Sequence, residues 1–234
     1  FDAGATHVVV SDSHGGNGMR NLIPGDLDAR AHLINGSPRH LGQLEAIDDT
    51  YDALLLVGYH TRHGHAGVLS HTTNGQAVAN LWVNDQLVGE IGLNVLLAAS
   101  FGVPTLLVTG DDLTIAEAAL VAPEAEGVVV KWALGRYAAR SLHPQVACEA
   151  IRTGTIAALA KVGTHTPPVP DVPARFRLQF KESGSAEAAA RQLGMLLVEH
   201  DTVAFEAPSM ADAYAAYSSA VDGWLSAWGN WTKG

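Results

Sequence analysis

The sequence predicts an α/β fold, a mostly parallel sheet with flanking helices, followed by a smaller α+β unit. Three observations predict it. Short β-branched apolar runs recur and stop at turns of Gly, Asp or His; helical apolar spacing falls between them; a proline-rich stretch then interrupts the chain. Residues 6–11 (THVVVS) read as a buried strand ending at Asp12-Ser13-His14-Gly15-Gly16, and residues 53–57 as a second ending at Gly58-Tyr59-His60. Residues 77–83 and 86–88 flank Asn84-Asp85 as a hairpin, and residues 88–101 carry helical spacing up to Gly102. Residues 104–109 form a third apolar run, ending at Gly110-Asp111-Asp112; Asp112 or Thr114 then caps a helix through Val121, residues 127–131 make a strand, and residues 144–162 a helix. The four prolines in 164–173 (THTPPVPDVP) suit neither a helix nor a central strand, so that stretch reads as a linker. Residues 175–180 and 202–206 read as strands, and 185–193 and 210–228 as helices. The expected division is an α/β domain at 1–163, the linker at 164–173, and a small α+β domain or subdomain at 174–234. Residues 1–5 read as the tail of a helix closing on Gly4, so a preceding element is expected.

Composition excludes several functions. A net charge of -10 with 14 Lys and Arg leaves no basic surface for phosphates, so nucleic acid is not an expected partner. The apolar run at 95–108 is broken by Ser100, Gly102 and Pro104 and falls short of the ~20 residues that span a bilayer, so no membrane partner is expected. Cys148 is the only cysteine, which removes an intrachain disulfide and a Cys-rich zinc site and fits a cytoplasmic location. Any metal must sit on His and carboxylate.

The polar residues that follow the strands supply such ligands. Asp12 and His14 follow the first, His60 the second and Asp111-Asp112 the third, at the sheet edge where open α/β proteins bind ligands. The segment 60–71 (HTRHGHAGVLSH) adds further histidines, and Glu90 opens a helix. Three imidazoles and a carboxylate on one rim suit zinc. Each residue taken singly also has a plain structural role: His14 or His71 bonding its own loop, Glu90 complementing the helix dipole, Asp12, Asp111 and Asp112 capping turns or helices. His63 and His65 read as solvated loop residues or substrate contacts. Asp12, Asn84, Asn94, Asp111 and Asp112 are candidates for binding substrate or supporting the ligands. Trp224, Trp228 and Trp231 suit either a subunit contact or packing within the protomer.

The joint pattern is more specific. The blocks VVVSDSHG (8–15), LLLVGYH (54–60), GVLSH (67–71), VNDQLVGEIGLN (83–94) and VPTLLVTGDD (103–112) occur in the order seen in one family, and VVVKWALGRYAARSLHP (128–144) adds a sixth. In them the chain resembles the zinc D-aminopeptidases associated with bacterial dipeptide transport, through about Pro144 and more loosely to Tyr217. The resemblance implies that His14, His60 and Glu90 are metal ligands and that His71 is the catalytic histidine. It implies a binuclear zinc centre, peptides with D-amino acids at the amino end as substrates, and a homo-oligomer in the form of a ring-shaped decamer. The family pattern opens with an Asp-x-Glu strand that these 234 residues do not contain, so the binuclear centre is expected where such a segment precedes Phe1. The expected activity is hydrolysis of an amide bond at a free amino end by metal-activated water, with His71 relaying protons or stabilising the oxyanion. The competing readings are a related amidase with another substrate, a binding or assembly protein that has lost its metal, and a metal-storage module using His63 and His65.

Overall fold

Short apolar runs become strands where a neighbour can take their backbone hydrogen bonds. In the computed structural model, which describes the backbone of residues 1–231 and the side chains of residues 1–221, β1 (Val9–Ser11) pairs in parallel with β2 (His32–Ile34). The chain continues through β3 (Leu54–Leu56), β4 (Val78–Val83), β5 (Gln86–Val88), α1 (Glu90–Ser100), β6 (Thr105–Asp111) and α2 (Asp112–Val121). Then come β7 (Glu126–Gly135), β8 (Ala138–Ser141), α3 (Pro144–Leu159), β9 (Ala174–Phe180), α4 (Ser183–Ala189), β10 (Leu196–Glu199), β11 (Thr202–Ala207) and α5 (Met210–Trp231).

Strands β3, β6 and β7 form a parallel sheet, with β8 added antiparallel at its edge. A second sheet is antiparallel, in the order β10-β11-β9-β4-β5. It draws strands from both sides of the proline-rich stretch, so residues 174–207 complete a sheet begun at 78–88. The cause is visible in β9, where ARFRLQF alternates strictly. Ala174, Phe176, Leu178 and Phe180 are buried in one core with Val78, Leu81 and Val83, while Arg177 on the other face lies 4.3 Å over the Trp82 ring. Asn84, at positive φ in the β4–β5 turn, fastens the incoming connection: its Nδ2 donates to the Asp171 carbonyl at 2.9 Å and its Oδ1 accepts from the Arg175 N–H at 2.9 Å.

Helix α1 lies between the two sheets. Leu93, Leu97 and Ala98 belong to the large core with β4, β9 and α5, whereas Ile91 packs with Leu56, Val108 and Ala118 against the parallel sheet. A helix buried on both sides shows no narrow apolar stripe. Strands β8 and β10 are exposed along their length, and β2 is three residues long, so none of them has the apolar run that marks a buried strand. Among the described residues no helix is long and apolar enough to cross a membrane. The side chains of Trp224, Trp228 and Trp231 lie outside the described residues.

Leu178 faces Leu81 in the β9–β4 register and both are fully buried. Leu178→Ala is expected to lower the unfolding free energy by about 2–5 kcal/mol in urea denaturation; a change below about 0.5 kcal/mol would contradict the shared-core reading.

Candidate metal centre

The end of β3 delivers His60. Beyond Leu56 the chain stays against β6, with the Gly58 N–H donating to Thr109 Oγ1 at 2.8 Å and the Tyr59 N–H to the Thr109 carbonyl at 2.9 Å. The loop that follows folds back on its own start. Thr61 Oγ1 donates to the Ala66 carbonyl at 2.9 Å, the His71 N–H reaches the Thr61 carbonyl at 3.3 Å, and the His63 N–H reaches Thr72 Oγ1 at 3.0 Å. Gly67 is required in this loop: its φ is +144°, and a Cβ there would stand 2.3 Å from Thr61 Oγ1. Helix α2 clamps the loop from outside. Glu117 accepts the Arg62 N–H at 3.1 and 3.2 Å and lies 3.2 Å from His65 Nδ1, while Asp111 accepts the Val68 N–H at 2.8 Å. The fold-back stacks the His71 ring on His60, with centroids 4.0 Å apart and planes 20° apart.

Glu90, the first residue of α1, meets both rings. Its Oε1 lies 3.4 Å from His60 Nε2 and 3.6 Å from His71 Nε2, and its side chain is 6% exposed. The Thr73 N–H donates to Oε1 at 2.7 Å, and Gln43 Nε2 donates to Oε2. Gln43 is itself held, its Oε1 accepting from Asn94 Nδ2 at 2.5 Å and from the Tyr59 hydroxyl at 3.3 Å. Asn94 Nδ2 also donates to the Tyr59 oxygen at 2.9 Å. Burial, and then the Glu90 charge, push the Tyr59 phenol up, so it remains a neutral donor.

The two imidazoles are oriented from behind. His60 Nδ1 is 3.0 Å from the Thr61 carbonyl and His71 Nδ1 is 2.6 Å from the Leu69 carbonyl. A carbonyl only accepts, so each Nδ1 carries the proton, and in the neutral ring each Nε2 presents a lone pair. These two nitrogens and the Glu90 carboxylate put their ligating atoms within 4.8 Å of one another. Nitrogen and carboxylate donors with their tautomers fixed by backbone carbonyls are a donor set that fits zinc.

The structure brings together His60, His71 and Glu90 and leaves His14 outside that group. His14 is exposed, its ring folded against Gly16, where a Cβ would stand 2.6 Å from His14 Nε2. Asp12 organises the following loop: its carboxylate accepts from the Asn21 N–H, from the Leu22 N–H at 2.8 Å and from Asn21 Nδ2 at 3.1 Å. Burial raises the Asp12 carboxyl, but these donors outweigh it and hold the group below the usual carboxylate range. Asn94 supports Gln43, and Asn84 lies in the hairpin turn. Asp111 caps α2 through the Thr114 N–H at 2.8 Å, and Asp112 accepts the Ala133 N–H at 2.9 Å. Sequence reasoning missed Gln43, Tyr59 and Thr73 as the partners of this network. Gln43 sits in a single 3-10 turn, Gly42–Leu44, with no periodic pattern around it. Tyr59 could have been found from its place beside His60 in the GYH block.

Known proteins resemble this chain over most of its length. The family model described as D-aminopeptidase (Peptidase_M55) matches residues 1–219. A D-aminopeptidase of Bacillus subtilis (strain 168) is 36% identical over 220 residues, which cover 92% of this chain and 78% of that protein. The solved structure of the Zn-dependent D-aminopeptidase DppA from Bacillus subtilis, described as a self-compartmentalizing protease, superposes with a TM-score of 0.91 at 33% identity, over 96% of this chain and 81% of that one.

Replacing Gln43 with Leu leaves Glu90 Oε2 without its side-chain donor. Zinc affinity, read by competition with a chromophoric chelator, is expected to fall roughly 10–100-fold; an affinity within about twofold of the parent would remove Gln43 from the centre's support.

Proposed function

The chain belongs to the D-aminopeptidase family, and from that premise we infer that it is a zinc-dependent aminopeptidase hydrolysing the first amide bond of peptides that carry D-amino acids. The observation that carries this reading is the convergence of His60 Nε2, His71 Nε2 and the buried Glu90 carboxylate on one point of the sheet rim.

His60 and Glu90 are the proposed holders of the metal. The resemblance adds His14, whose turn must bring its ring in from the surface to join them, and a second metal in a complete binuclear centre. Zinc held there supplies Lewis acidity that activates water near neutral pH and polarises the scissile carbonyl. His71 is the proposed proton relay. Its Nε2 takes a proton as water adds to the carbonyl carbon, and returns it to the leaving amine nitrogen as the C–N bond breaks, so that a carboxylate and a free amine result. The Leu69 carbonyl keeps Nδ1 as the fixed donor and Nε2 as the working atom. A second reading makes His71 a third ligand, favoured by the 3.6 Å separation of its Nε2 from Glu90. Gln43 and the Thr73 N–H hold the Glu90 carboxylate in place through both roles.

The family reading also supports an oligomer, and a ring-shaped decamer is the proposed form, with short peptides entering an enclosed space. A cytoplasmic location is proposed, in keeping with the single cysteine.

His71→Ala separates the two roles. As a relay, its loss is expected to lower kcat by about 10²–10⁴-fold on D-alanyl-D-alanine with zinc content per chain unchanged; joint loss of zinc and activity would make it a ligand. In sedimentation or native mass measurement, the protein is expected at ten times the mass of one chain, and a monomer at working concentration would contradict the decamer.

A further inference from the structure

A cavity of about 490 Å³ opens between the 63–70 loop, the start of α2 and the end of β7. Its walls include His63, His65, Ser70, Leu113, Leu134 and Arg136. That size lies in the range of small-ligand sites. It adjoins the metal centre through the chain itself, since Ser70 in its wall is joined to His71. Lys181 comes to the same neighbourhood: its Nζ donates to the Gly75 carbonyl at 2.6 Å, and Gly75 packs on His71, a Cβ there standing 3.1 Å from that of His71.

Charge at this cavity runs against the balance of the chain. The protein carries -10 overall, yet the charges acting on the His63 imidazole are those of Lys181, Arg136 and Arg62. Burial first, and then these cations, hold His63 below its usual value against the opposing bond from its Nδ1 to the Ala79 carbonyl at 3.0 Å. Lys181 is lowered in turn by burial and by Arg136. The carboxylate of Glu117 is already taken by the Arg62 N–H and His65. Arg136 lies 5.3 Å from the Tyr137 ring, and among the described residues no ion pair joins its guanidinium to a carboxylate. The carboxylates nearby, Glu117, Asp111 and Asp112, are bonded to His65 and to backbone N–H groups, so the Arg136 guanidinium in the cavity wall is left to receive an anionic ligand.

We propose that this cavity receives the carboxylate end of a short peptide, with the Arg136 guanidinium gripping the carboxylate and Leu113 and Leu134 packing the last side chain. The proposal rests on the aminopeptidase reading, because the cavity wall at Ser70 is one residue from His71 and a peptide held there is a substrate only if that centre cleaves it. It makes substrate length a property of the site: a free carboxylate one or two residues beyond the scissile bond is part of what is recognised.

The test uses zinc-loaded protein and N-acetyl-D-alanyl-D-alanine, whose blocked amino end prevents turnover, against the same compound with its carboxylate converted to an amide. Isothermal titration is expected to show the acid binding at least roughly tenfold tighter than the amide, the difference vanishing in Arg136→Ala and surviving in part in Arg136→Lys. Equal binding of acid and amide by the parent protein, or no binding of either, overturns the proposal. An acid preference that persists in Arg136→Ala also overturns it, since the metal is then the carboxylate's partner. Circular dichroism of each variant excludes misfolding. Absence of hydrolysis of free D-alanyl-D-alanine by the same preparation overturns the enzymatic reading alone, because the titration contains no turnover.

Discussion

A carboxylate buried as deeply as Glu90 is costly unless every lone pair facing the interior finds a donor, and the arrangement around it meets that demand. One oxygen takes the Thr73 N–H and faces two imidazole nitrogens; the other takes the Gln43 amide. The start of α1 favours a negative charge at this position as well. Each donor comes from a different part of the chain, so the single charge ties together the 42–44 turn, the 60–73 loop and α1. Helix α5 supports two of them from below. The Tyr217 hydroxyl bonds Thr73 Oγ1, and the Tyr214 ring lies so close under Gly42 that a Cβ there would stand 2.9 Å from its hydroxyl.

The two-sheet architecture gives this point its rigidity. Because α1 is buried between the parallel and antiparallel sheets, its first residue can neither rotate nor slide without disturbing both cores. The His60 side follows from the parallel sheet, since β3 runs alongside β6 up to Tyr59 and then releases the chain at the rim. His71 depends on the parallel sheet only through Asp111, the last residue of β6. It is placed by the bonds of its own loop, by Glu117 and by Asp111, whose cap on α2 and grip on the Val68 N–H turn a helix start into a loop anchor. Catalysis by a proton relay depends on such placement, because an ångström of misalignment is felt directly in rate.

How much of this was legible in the sequence follows from the kind of signal each part leaves. The runs before His14, His60 and Asp111 were readable because short contiguous apolar segments closed by Gly, Asp or His turns mark strands, although of the three only β6 is buried throughout and β1 is half-buried; Glu90 was readable because it opens a helix after a turn pair. The order of the DSH, GYH, SH and GE blocks identified the family that the comparisons then found. The pairing of β9 with β4 left no trace in local pattern, since register between strands some 90 residues apart is decided by which apolar faces meet. Gln43 was invisible for a related reason: a glutamine in a one-turn helix gains its role only from what the fold brings opposite it. Asp111 and Asp112 show the converse, strand-end carboxylates whose geometry is that of caps and loop ties.

We propose that the buried Glu90 carboxylate and the His60 imidazole beside it hold the metal. Crystals of the zinc-loaded protein, measured with anomalous scattering at the zinc edge, test it most directly. A peak is expected within about 2.0–2.2 Å of both His60 Nε2 and a Glu90 oxygen. Zinc bound instead by His63 and His65, with the Glu90 carboxylate unligated, would contradict it.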